Sequence, residues 1–253
     1  MGGESTVPLC IYSHSDYFDV LEIQIHYLTE LFKDTEQKIY IFTNEPYTKI
    51  TSLKYIPVIY DDELVYTNRI LFCIKKLTEP YFIISHENDV LLNYDSHTIL
   101  KLVDKMKETN IDSINFTHLT DHGSNEKEIR VTDTLSIWTD ANNIYTFNVQ
   151  PRLWRNESAI RFFSEIKPKN YRTSESKNIQ NYMKHRLQTY WLHSTKVPKD
   201  TIYKVAPEYL YIHVTKSLMF LKPPNDNTNP NVRKKHSNMF NKWARGKTRV
   251  IHP

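Results

Sequence analysis

Two carboxylates two residues apart, Glu87 and Asp89, stand directly behind an unbroken apolar run, Tyr81-Phe-Ile-Ile84. At that spacing two carboxylates can share one hard divalent cation, and such a cation screens the phosphates of a nucleotide that would otherwise repel them. The run before them is aromatic and β-branched and follows Pro80, which suits a strand covered on both faces of a parallel sheet. A second apolar run, Val90-Leu-Leu92, returns the chain to the core. Ligands of open α/β sheets bind beyond the carboxyl ends of strands. Position and residue type therefore agree on a loop for metal and phosphate. A solvated acidic turn has the same local composition, so residues elsewhere must separate the two readings.

The remaining chemistry-bearing types narrow the choice. Eleven histidines invite a zinc site, but none is paired as His-x-x-x-His on an amphipathic helix, and no Cys spacing suits zinc. Cys10 and Cys73 lie inside apolar segments and read as buried free thiols of a reducing compartment. No Gly occurs in Ser13-His-Ser-Asp-Tyr17, which argues against a Gly-rich phosphate loop after the first strand. The net charge of +4 is uneven: seven of the 33 basic residues lie after Asp226, where there is no acid. The rest of the chain carries 26 basic against 29 acidic residues.

Positioning such groups needs a rigid frame. Val7–Tyr12, Lys38–Thr43, Tyr55–Tyr60 and the run at Tyr81 read as strands. A helix with an apolar stripe spans Asp19–Phe32, and another spans Leu64–Leu77 with Asp61-Asp-Glu63 expected in its first turn. Strands alternating with helices predict a mainly parallel sheet with right-handed crossovers. Next the pattern predicts a helix over Ser96–Thr109, capped by Asp95 or Ser96, and a strand at Ser113–Thr117. Residues 118–134 read as polar turns, followed by short strands at Leu135–Trp138 and Tyr145–Val149. Helices are expected over Asn156–Ile166 and Glu175–Tyr190, and a late strand at Tyr209–Val214. With 253 residues and 13% aromatics, this is α/β: one domain over 1–222, its nucleotide half at about 7–95 and its acceptor half at about 96–222. Residues 223–253 read as a basic tail behind a Pro- and Asn-rich linker.

Taken together, Ser13-His-Ser-Asp-Tyr-Phe-Asp-Val20, the Arg69 helix, the acidic loop and Asn148-Val-Gln-Pro-Arg-Leu-Trp-Arg-Asn-Glu157 resemble a group of GT-A-type glycosyltransferases. The shared pattern is Ser-x-x-Asp-x-Tyr-x-Asp, an Arg-bearing helix, an acidic strand end and a Gln-Pro-x-x-Trp turn, over about residues 7–215. The resemblance implies a GT-A-like fold with a mixed, mainly parallel sheet flanked by helices. It also implies transfer of a sugar from a nucleotide-diphosphate sugar to a glycan or glycoprotein acceptor, inverting and assisted by Mn²⁺ or Mg²⁺.

Roles for single residues follow from the resemblance. Ser13, His14 and Asp16 would line the donor nucleotide pocket, although Ser and Asp before a helix also serve as caps. Arg69 would meet the diphosphate, whose oxygens suit a planar guanidinium, and Glu87 would face the donor. Glu87 and Asp89 would hold the metal, with His213 completing its shell. Gln150 and Trp154 would contact the acceptor, Trp154 as an aromatic platform. Inverting transfer needs a carboxylate to take the acceptor's proton. The resemblance puts it at Glu175, in Thr173-Ser-Glu-Ser176, with Glu157 as the alternative.

Two other functions remain in play. A nucleotidyltransferase would share the nucleotide site, and a nucleic-acid-binding module would use the basic tail. The acidic body argues against nucleic acid as a partner. No run of 18 apolar residues and no signal-like N-terminus occurs, so the expectation is a chain without a membrane span. The expected setting is the cytoplasm of a bacterium or a virus-infected host cell.

Overall fold

Side-chain alternation within the first strands feeds two separate cores. In β1 (Leu9–Tyr12), Leu9 and Ile11 join one apolar cluster while Cys10 and Tyr12 join the other. In β2 (Ile39–Thr43) and β4 (Tyr81–His86), Ile39, Ile41 and Ile83 go to the first core, and Tyr40, Phe42 and Phe82 to the second. Strands apolar on both sides need cover on both sides. On one face α1 (Phe18–Phe32) and α3 (Ser96–Thr109) supply Leu21, Leu28, Ile99 and Met106. On the other, α2 (Tyr66–Ile74), α4 (Asn156–Glu165) and α5 (Lys177–Arg186) supply Ile70, Phe162 and Met183. The computed structural model describes residues 6–49, 51–116, 127–139, 147–167, 170, 173–194, 209–215 and 218–221.

The main sheet has nine strands in the order β3-β2-β1-β4-β9-β6-β10-β8-β7. The remaining members are β3 (Ile56–Ile59), β6 (Ser113–Asn115), β7 (Lys127–Arg130), β8 (Leu135–Thr139), β9 (Arg152–Arg155) and β10 (Thr189–Ser194). From β3 to β4 all neighbours are parallel, whereas β9 runs antiparallel to both β4 and β6. A smaller sheet joins β5 (Asp89–Tyr94), β11 (Tyr209–Thr215) and β12 (Leu218–Leu221). The fold is thus mixed α/β, with a central mixed sheet flanked by helices, as expected.

The order 3-2-1-4 has one consequence that matters for function. The chain leaves β1 toward β2 on one side and returns to β4 on the other, so a crevice opens between the carboxyl ends of β1 and β4. Open α/β sheets bind ligands at such a switch point.

Several elements differ from expectation for identifiable reasons. The helix α2 begins at Tyr66, not Leu64, and Asp61–Val65 form a loop in which Glu63 N donates to Asp61 Oδ1 at 2.9 Å. The polar stretch before Leu135 contains β7, which gains its hydrogen bonds only by pairing with β8. Of the segment read as a turn, Gln150–Trp154, the last three residues belong to the strand β9 in the middle of the sheet. The helix expected over Glu175–Tyr190 stops at Arg186, and the chain enters β10. At Phe147–Val149 there is no strand, and Tyr145 lies outside the described residues. Asp95 caps α3 as expected, accepting from Thr98 N at 3.3 Å, and the αL residue Asn110 closes it, at φ 57°. Both cysteines are free and buried. The basic tail, 223–253, lies outside the described residues.

Candidate active site

The loop after β1 is tied to the chain just beyond β2 and β3. Ser13 is fully buried, with its backbone N–H on Phe42 O at 2.9 Å and its carbonyl accepting from the Tyr60 hydroxyl at 2.6 Å. His14 begins a 3₁₀ turn over Ser15–Tyr17, its Nδ1 accepting from Asp16 N at 3.1 Å. His14 thus caps the 3₁₀ turn, and the residue at the N-cap of α1 is Tyr17, not Ser13 or Asp16. On its other nitrogen, Nε2, His14 meets Asp62 Oδ1 at 3.0 Å. Ser15 is held from β2's end, where Asn44 Oδ1 accepts from Ser15 N at 2.7 Å. The Asp16 side chain is open to solvent at 74%.

Arg69 stands behind this loop. Its Nη2 reaches Asp62 Oδ1 at 2.8 Å and also the Asp62 carbonyl, and its Nε donates to Leu64 O at 2.6 Å. The guanidinium carbon lies 5.3 Å from the centre of the Tyr60 ring. Burial opposes the Arg69 charge, yet Tyr12, Tyr60 and Asp62 around it raise its pKa above the usual value. Below it Tyr12 stacks on Tyr60, centroids 5.4 Å apart, and meets Tyr66 edge-on at 5.3 Å. The Tyr66 hydroxyl bonds His86 Nε2 at 2.9 Å. Burial pushes the Tyr12 and Tyr60 hydroxyls up, so both stay neutral. Sequence reasoning missed Tyr12, Asn44, Tyr60, Asp62 and Tyr66. The available signal was position: four of them end a strand or follow one within three residues.

The acidic pair lies across the crevice. β4 ends at His86, opposite Tyr12 in register, and Glu87 N donates to Tyr12 O at 3.0 Å. Only Glu87 and Asn88 separate β4 from β5, so the chain turns sharply there. Glu87 is 7% exposed and Asp89 3%, which is uncommon for carboxylates in a solvated turn. Buried Gln24 on α1 pins the far side, its Oε1 accepting from Leu91 N at 3.0 Å. His213 of β11 is the register partner of Asp89. Two buried carboxylates suit a hard cation such as Mg²⁺ or Mn²⁺. Among the described residues no group of three His, Cys, Asp or Glu side chains converges as a metal site.

Of the two glutamates expected near the acceptor, one shares this edge. β9 begins with Arg152 opposite Ile84 and Asn115, near the carboxyl ends of β4 and β6. Val149, just before it, donates its N–H to Glu175 Oε1 at 2.8 Å. The Glu175 side chain is otherwise exposed. Close by, Asn115, Asn148 and half-buried Gln150 form an amide chain, with Asn148 Nδ2 on Gln150 Oε1 at 2.9 Å. Fully buried Arg152 sits beneath, donating to Ser113 Oγ at 2.9 Å and lying 5.6–5.9 Å from the rings of Phe147, Trp154 and Trp191. Burial pulls its pKa down to about 9, and the Glu175 carboxylate opposes that shift.

The structure places two of the expected site residues away from this edge or inside the core. Glu157 follows Arg155, which pairs with Tyr81 at the amino end of β4. That is about 17 Å along the strand from His86, at ~3.4 Å per residue. Glu157 is 78% exposed there, beside a hollow of about 420 Å³ lined by Pro80, Tyr81, Lys107, Asn110 and Arg155. It is not brought together with the other site residues. Trp154 is 1% exposed and stacks on Phe162 at 5.7 Å, so it fills the second core and offers no ring face to an acceptor.

No family model matches this chain, and no curated protein does. Solved structures that resemble it include a cytidylyltransferase from Leptospira borgpetersenii, 10% identical with a TM-score of 0.48, covering 99% of this chain and 100% of that one. An apo UDP-glucose pyrophosphorylase is 8% identical with a TM-score of 0.45, over 90% of this chain and 99% of that one. The glycosyltransferase GlyE of Streptococcus pneumoniae is 11% identical with a TM-score of 0.44, and the match spans 74% of this chain but 45% of that one. All three scores lie below 0.5 and carry no functional conclusion. No helix among the described residues is long and apolar enough to cross a membrane.

Proposed function

We propose that the chain is a nucleotide-sugar glycosyltransferase that binds its donor in the crevice between β1 and β4. The observation that carries this reading is the gathering of the Ser13–Tyr17 loop and the buried Glu87–Asp89 turn at one switch point. The nucleoside would lie against His14 and Asp16, in the loop that buried Ser13 anchors, and the diphosphate would reach toward Arg69 and the acidic turn. Glu87 and Asp89, with His213 opposite in register, are the residues that would hold Mn²⁺ or Mg²⁺. Such a cation, when bound, neutralises charge building on the leaving diphosphate.

The chain's own groups would do the rest. Glu175 stands on the same edge with one oxygen fixed by Val149 N and would take the proton of an acceptor hydroxyl. As the acceptor's oxygen bonds to the anomeric carbon, the bond to the diphosphate breaks and its electrons leave with the nucleotide. Gln150 and its amide neighbours would orient a glycan hydroxyl. Attack from the side opposite the leaving group inverts the anomeric centre.

The test is to incubate the chain with a panel of nucleotide sugars and Mn²⁺ and follow nucleoside diphosphate release with and without glycan acceptors. Acceptor-dependent release with an inverted linkage is the expected result. Pyrophosphate release from a nucleoside triphosphate and a sugar phosphate would assign nucleotidyl transfer instead. Neither product from any donor would defeat the reading.

A further inference from the structure

Arg69 is already occupied by groups that imitate a phosphate. Its Nη2 is shared between the Asp62 carboxylate, at 2.8 Å, and the Asp62 carbonyl, and its Nε is on Leu64 O at 2.6 Å. The Arg69 side chain is 19% exposed and is steadied by the Tyr60 ring, whereas Asp62 is 51% exposed and sits on a loop. The cation is therefore the fixed partner and the carboxylate the movable one. Asp62 also reaches His14 at 3.0 Å, so it ties the loop after β1 to the loop before α2. We propose that Asp62 is a specificity-determining residue that occupies Arg69 in the free protein and yields it to an arriving diphosphate. The proposal rests on the donor-site reading above and adds to it a reason for discrimination among ligands.

The exchange is physically balanced. A half-exposed ion pair is weakly held, because water screens it. A diphosphate brings more negative charge and can engage the guanidinium's planar fork at two oxygens, so it outcompetes a single carboxylate. A ligand without phosphate cannot take Arg69 and gains nothing from displacing Asp62. Only phosphate-bearing ligands lose part of their affinity to this competition, and only they benefit when the competitor is removed. If Asp62 merely held His14 in place, its loss would weaken nucleosides and nucleotides alike.

Calorimetric titration of the full chain with UDP, CDP, GDP and ADP, each beside its own nucleoside, and with inorganic pyrophosphate distinguishes these cases. In D62N the tightest diphosphate should bind about 2–5-fold more tightly, while its nucleoside is unchanged. In R69Q the same diphosphate should weaken by about tenfold or more. The double variant should bind no more tightly than R69Q, because the competitor has lost its object. Equal weakening of nucleoside and diphosphate in D62N would overturn the proposal in favour of a structural pin. A gain that persists in the double variant would overturn it in favour of long-range repulsion. Nucleoside binding with no contribution from phosphate would defeat the exchange while the nucleotide site stands. Pyrophosphate binding that tightens in D62N without any nucleotide binding would keep the exchange and defeat the donor-site reading. No binding by any probe would sink both.

Discussion

The two edges of the main sheet carry similar charges and treat them differently. At the amino edge Lys38 pairs with Glu79, Arg155 with Glu157 at 3.5 Å, and Lys107 with Asp104 at 3.1 Å. Apart from Glu79 and Arg155, those side chains are well exposed, so water screens them and they contribute little. At the carboxyl edge Glu87 and Asp89 are buried beside the β1–β4 crevice, and His14, Asp62 and Arg69 join the loop after β1 to the start of α2. Charge density alone does not separate these edges. Burial of like charges at a topological opening does, because keeping carboxylates out of water is costly without a compensating function or partner.

Glu175 and Glu157 make the sharpest use of this contrast, since each precedes or opens a helix and only one stands on the carboxyl edge. Glu175→Gln should lower turnover by ~10²–10⁴ with donor affinity nearly unchanged, whereas Glu157→Gln should leave both intact. Steady-state kinetics on the two variants decides it, and a loss confined to Glu157→Gln would reverse the assignment. Next in size is Trp154→Ala, expected to cost about 3–5 kcal/mol in chemical unfolding, with Trp154→Phe milder. A Trp154→Ala protein that keeps full stability but loses acceptor binding would return the indole to the acceptor site.

Asp89→Asn should remove the Mn²⁺-dependent part of nucleotide affinity, about tenfold, while the unfolding midpoint holds. Equal affinities in Mn²⁺ and in EDTA for the unmodified chain would take metal out of the crevice.

The smallest effect belongs to the amino edge. Burial alone would raise the Glu79 carboxyl, but the Lys38 ammonium and its hydrogen bonds hold it below the ordinary carboxylate range. A depressed carboxyl contributes stability above its unfolded pKa and loses it as pH falls through the folded value. Glu79→Gln should therefore flatten the acid limb of stability below about pH 4.3, by no more than ~1 kcal/mol given the exposure of Lys38. Urea midpoints at pH 7 and pH 3 measure it, and an unaltered acid limb would mean the pair contributes nothing.

Local sequence carried much of the first half. The unbroken apolar runs at Leu9, Ile39 and Tyr81 could only be strands covered on both faces, and Asp95 announced the start of α3. In the second half the segments expected near β6, β8, α4 and β11 are present, and tertiary structure decided the strands between them. Gln150-Pro-Arg-Leu-Trp154 read as a turn, yet β9 draws its hydrogen bonds from β4 and β6, strands about 40–70 positions earlier in the chain. The same is true of β7 and β10, whose residues have no strong pattern until a neighbour supplies the other half of each ladder. The acids of the Glu87–Asp89 turn were visible by type and spacing. That they are buried, that Asp62 bridges His14 and Arg69, and that Glu175 but not Glu157 lies toward the carboxyl edge followed from strand order. A sequence specifies which groups are present and their local spacing; only the packed sheet sets which edge each group reaches and how much water remains around it.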